Sequence, residues 1–148
     1  MSTSKIIIDQ ALKVYFGIVV YFFLMKFVGL ENFTELRALN FIFVIWGVNA
    51  AIKKNILVNS DTMYLSNLSI GFSTAFFAVL GIAMSLIFYI TFINYDLIHV
   101  MENSSVWGNN LSLGMVVFAI LIEGMASSVI CSFLVMQYWK KHKIQQIA

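Results

Sequence analysis

The chain has 148 residues, 61% of them hydrophobic and only 11% charged, with a formal net charge of +2 and a mean hydropathy of +0.90. Water-soluble domains run at about 45–50% apolar and about 25% charged residues, so a soluble globular core is excluded, and so small a charge argues against a nucleic-acid partner. The single Cys131 allows no disulfide within the chain, and proline is absent, which removes the commonest cause of a sharp helix kink.

Four apolar runs follow in chain order, roughly 12–30, 36–57, 65–93 and 111–139. The third has no charged residue and the fourth has one, Glu123. At about 1.5 Å per residue the first two just cross a hydrocarbon layer of about 30 Å, while the last two exceed it and should tilt or project. None alternates with period two, which argues against a β-barrel. The expected fold is therefore all-α, a transmembrane bundle of four helices in one integral membrane domain. The first run lacks a small-residue cleavage site and reads as an anchor rather than a signal peptide. Just before and into it, the stretch from Ser4 to Phe16 carries Lys5, Asp9 and Lys13 and is expected to lie in the membrane interface.

The basic residues orient the bundle. Lys5, Lys13, Lys53, Lys54, Lys140, Lys141 and Lys143 gather on one side, with Lys26 and Arg37 on the other. The positive-inside rule then places both termini in the cytoplasm. Tyr15, Tyr64, Tyr138 and Trp139 fit the inner aromatic belt, and Tyr89, Tyr95 and Trp107 the outer one.

Lipid tails are as apolar as leucine, so helices associate where small residues let backbones approach. Gly71, Ala75, Ala78, Gly81 and Ser85 form such a stripe on helix three, Gly124, Ser128 and Ser132 on helix four, and Gly47, Ala50 and Ala51 on helix two. The stripes suit either packing within the bundle or a dimer face.

Glu123 is the residue that needs an explanation. An ionisable group near the middle of a spanning helix costs about 2.5–3.5 kcal/mol and usually faces the bundle interior. Counted from the outer helix ends, Glu123 lies about 15–18 Å down, Asn49 about 18–20 Å, Tyr21 about 14 Å and Ser85 about 12 Å. With Ser127 one turn on, these side chains are expected to form a hydrogen-bonded cluster around a protonated carboxyl. A contact to a partner subunit and a role in proton or substrate coupling are the other two readings. Lys26, about 9 Å nearer the outer surface, is expected to snorkel rather than pair with Glu123.

Weaker signals remain. Asp96, His99 and Glu102 recur every three residues and could hold a divalent metal only as an incomplete set; a solvated helix end is the expected reading. Asn32-Phe33-Thr34 and Asn103-Ser104-Ser105 match the glycosylation sequon. The lysines after Trp139 would attract anionic lipid. There is no Walker loop, zincin helix, cysteine pair, nucleophile elbow or dinucleotide fingerprint, so neither catalysis nor a cofactor is expected.

Ala50-Ala51-Ile52-Lys53-Lys54, the polar loop after it, Gly71, and Phe92-Ile93-Asn94-Tyr95-Asp96 together resemble a family of small four-helix membrane proteins of unknown function from Bacteroidota. Tyr95 stands where that family carries proline. The resemblance covers helices two to four. It implies four spans and a bacterial inner membrane, and assigns no activity or ligand. The expected function is that of a non-enzymatic membrane protein, an accessory or scaffolding subunit or a small homo-oligomer, with the lipid bilayer as its first partner. The alternative is a small proton- or ion-coupled transporter or channel using Glu123, which one chain has too few polar groups to line alone.

Overall fold

A computed structural model describes residues 2–30, 39–93, 98–99, 110 and 112–142. They form four helices, α1 (Thr3–Val28), α2 (Asn40–Asn59), α3 (Tyr64–Phe92) and α4 (Leu113–His142), with no strand among the described residues. Each is long and apolar enough to cross a membrane. The chain is thus an all-α transmembrane bundle running up, down, up and down.

The main departure from the sequence reading is at the N-terminus. The amides of Lys5 and Ile6 bond to the carbonyl of Ser2, so α1 begins at Thr3 and the expected interfacial segment is its first half. The cause is a single buried stripe, Ile6, Gln10, Ala11, Val14 and Ile18, which keeps one helix face against the bundle from the first turn onward. At the other end, Gly29 adopts a left-handed φ of 76° and its amide bonds to Lys26, while Leu30 bonds back to Met25. That paired return closes α1, and glycine adopts its conformation without strain.

The α2–α3 turn is held by side chains. Asp61 Oδ1 accepts the amide of Met63 at 3.0 Å, and Oδ2 accepts Ser66 Oγ at 2.5 Å and Asn55 Nδ2 at 3.3 Å. Asn67, buried, donates to the carbonyls of Asp61 and Met63 and accepts from Asn55 at 3.0 Å. Polar groups at a helix start are thereby satisfied where the chain reverses. At the start of α4, Ser112 Oγ accepts the amide of Met115 at 3.3 Å.

α2 and α3 form the centre: each packs on the other and on both remaining helices, while α1 and α4 occupy opposite flanks and share no comparable interface. The core joins Val14 and Ile18 of α1, Val48, Ile52 and Ile56 of α2, Ala75 and Ala78 of α3, and Cys131, Met136 and Trp139 of α4. The small residues set these approaches. A Cβ on Gly47 would collide with Val14, and one on Gly124 with Val79. At Gly71 it would meet Val48 at 3.0 Å, Ile52 at 3.1 Å and the Ser132 hydroxyl at 3.2 Å, so three helices converge there. The stripe on α3 thus faces neighbouring helices, with Gly81 against the ring of Tyr15, and Ser128 is buried on α4.

Candidate functional site: a charged layer across the bundle

Glu123 does not point inward. It is exposed on α4, and its carboxyl group has no hydrogen bond or ion pair among the described residues. The reason is the rotation of α4. Gly124, about 100° further round the helix, takes the close contact with Val79 of α3. The preceding residue is therefore turned out onto a flank.

The polar side chains expected around it are engaged elsewhere. Asn49 accepts the indole N–H of Trp139 at 2.8 Å. Ser85 shares a hydrogen bond of 2.5 Å with the Tyr15 hydroxyl. Ser127 donates to the carbonyl of Gly124 in its own helix at 3.0 Å, and Tyr21 packs its ring on Phe43, with centroids 5.8 Å apart. Among the described residues no cluster gathers on the carboxyl group, because each helix satisfies its polar groups against the nearest neighbour or its own backbone.

A second charged group lies on α1, nearer than Glu123 to the end of the bundle that bears Thr3. Asp9 Oδ2 accepts Lys13 Nζ at 3.1 Å and Lys54 Nζ at 3.0 Å, and Gln10 Nε2 at 2.9 Å. Contacts between the helices bracket the height of these residues. Gly81 of α3 faces Tyr15 and Val79 faces Gly124, which sets Lys13 and Glu123 about one helical turn apart along the bundle axis, while the contacts of Val14 with Gly47 and of Gly71 with Val48 and Ser132 set them about two turns apart, with Lys13 nearer the end that bears Thr3. Asp9 lies one turn from Lys13 toward the end that bears Thr3 and His142. Only residues 14–25 separate Lys13 from Lys26, about 18 Å of uncharged helix, well under the about 30 Å of a hydrocarbon layer. The charged half of α1 thus reaches into the depth that α3 and α4 span with apolar side chains. The i,i+4 spacing of Asp9 and Lys13 was legible in the sequence; the third member, Lys54, comes from α2 and was not.

Lys26 also has a partner that sequence reasoning missed. Its ammonium group donates to the Tyr89 hydroxyl and lies 5.0 Å from the centre of that ring. Tyr89 therefore anchors the lysine at the end of the bundle opposite the termini. The Asp61 turn was missed as well. There the Ser66 hydroxyl, then the Met63 amide and Asn55, hold the Asp61 carboxyl below the usual carboxylate range.

Of the metal candidates, Asp96 and Glu102 lie outside the described residues and His99 is exposed; no group of three ligating side chains occurs among the described residues. Both sequons also lie outside them. Two shallow grooves open on the surface. One, of about 320 Å³, is lined by Phe16, Gly17, Val20, Tyr21, Leu24 and Phe43; the other, of about 380 Å³, lies between α3 and α4. Both are apolar and neither contains Glu123. No protein-family model, curated protein or solved structure matches the chain.

Proposed function

We propose that this chain is a non-enzymatic integral membrane protein that acts as a subunit, either of a homo-oligomer or as an accessory or scaffolding part of a larger membrane complex. The observation that carries this reading is the exposed carboxyl group of Glu123 midway along a helix that is otherwise uncharged from Leu113 to Trp139. Facing lipid tails, such a group costs about 2.5–3.5 kcal/mol. Its own chain offers it no partner among the described residues, whereas a neighbouring protein can supply one. The lysine bias supports placing both termini in the cytoplasm, and the resemblance to the Bacteroidota family supports a bacterial inner membrane. The test is the native mass of the protein extracted into lipid nanodiscs. The expected result is a multiple of the 16.8 kDa chain or a complex with another membrane protein. A monomer with nothing bound overturns the reading.

A second reading, proton- or ion-coupled transport by an assembled oligomer, draws on one observation: α1 and α4 both carry titratable groups within the spanning part of the bundle. It requires pH-dependent flux in proteoliposomes that Glu123→Gln abolishes while the fold persists.

A further inference from the structure

From the subunit reading, on which this inference rests, we infer that the partner of Glu123 is a second copy of the same chain, and that it meets the Asp9–Lys13–Lys54 cluster of that copy. Three features of the structure converge on this. The first is charge. The cluster holds two lysines against one aspartate and so carries one positive charge in excess, while Glu123 carries one carboxyl group with no partner among the described residues. The second is height. The lysine bias inserts every copy the same way, so two groups meet between side-by-side copies only if their side chains reach one level, and Lys13 and Glu123 stand about one to two turns apart, a gap that a lysine and a glutamate side chain span together.

The third is position. α1 and α4 hold opposite flanks of the bundle, so α4 of one copy can lie along α1 of the next without displacing an existing contact. The two charged sites also open toward the same broad face. Asp9 and Lys13 lie on the α2 side of α1, where Asp9 reaches Lys54. Glu123 lies on the flank of α4 turned away from the groove that Val129 and Phe133 form with α3. A side-by-side seam of α4 and α1 therefore brings both sites to one rim, where the half-exposed Lys13 side chain is long enough to turn from Asp9 to Glu123. Asp9 keeps Lys54 when it does.

The experiment is disulfide cross-linking between separately tagged copies in membranes, on a background in which Cys131 is replaced by Ala. One copy carries Glu123→Cys and the other Lys13→Cys. Oxidation should join the two tags in one species of twice the chain mass, formed only when both cysteines are present. Native mass in nanodiscs is measured on the same Cys131→Ala background without further substitution. An oligomer of this chain whose tags do not cross-link places the interface elsewhere and overturns the inference while leaving the subunit reading intact. A complex with a different protein does the same. A bare monomer overturns both. A charge exchange guards against a local folding effect: Glu123→Lys should dissociate the oligomer, and adding Lys13→Glu should restore it. Dissociation that the second substitution does not reverse also overturns the inference.

Discussion

Trp139, near the end of α4, donates its indole N–H to Asn49, midway along α2, across a distance of 2.8 Å. The indole is buried in the core beside Val135 and Met136. A residue whose position on the sequence suits an interfacial belt is thus an internal tie between two helices. Removing the donor while keeping an aromatic ring, by Trp139→Phe, should lower stability by about 0.6–2 kcal/mol, the range for an interhelical hydrogen bond in a membrane. Asn49→Leu should cost a similar amount. The two together should cost less than their sum, because they remove one shared bond. Thermal melts of the four forms in detergent measure this, and fully additive losses would mean the bond contributes nothing.

The Asp61 turn makes stability depend on acid. Its carboxyl titrates below the ordinary value of 3.8 in the folded chain, through the Ser66 hydroxyl first and then the Met63 amide. A carboxyl with a depressed folded value contributes stability that is complete above its unfolded value and lost as pH falls through the folded one. The wild type should therefore lose melting temperature below about pH 4 more steeply than Asp61→Asn, and the difference between them should shrink there. Parallel curves for the two forms across that range would remove Asp61 as the cause.

Close helix approach at glycine gives a positional contrast. At Gly124 any side chain collides with Val79, whereas at Gly114 an added Cβ meets, among the described residues, only the Ser112 hydroxyl, at 3.9 Å. Gly124→Leu should destabilise the fold by about 1–3 kcal/mol through overpacking, and Gly114→Leu should be tolerated. Equal melting temperatures for the two variants would mean that the α3–α4 seam is looser than the packing of Gly124 on Val79 implies.

Glu123 separates an internal role from an external one. With no partner within its own chain among the described residues, Glu123→Leu removes an ionisable group from lipid and leaves no bond unmade. The melting temperature of the monomer in detergent should stay the same or rise, for both Leu and Gln. A loss of about 0.6–2 kcal/mol for Leu alone is what a hydrogen-bonded internal acid would give.

The number of spans and the all-α class were legible in the sequence, because a hydrocarbon layer demands about twenty apolar residues in an unbroken helix. The small residues of α3 were legible too, since close backbone approach leaves a four-residue spacing behind it. The direction of Glu123 was not. In water the inner face of a helix is marked by polar residues opposite it. In α4, Phe118, Ile122 and Phe133 face outward while Val116, Val135 and Met136 face inward, and lipid and core are equally apolar. Hydropathy therefore contains no rotation angle for this helix. The close approach of Gly124 to Val79 set the rotation, and with it turned Glu123 away from Asn49, Tyr21 and Ser85. The same holds for the pairing of Lys54 with Asp9 and of Trp139 with Asn49: both join residues far apart in the chain, and tertiary packing alone decides which helices stand side by side and at what height.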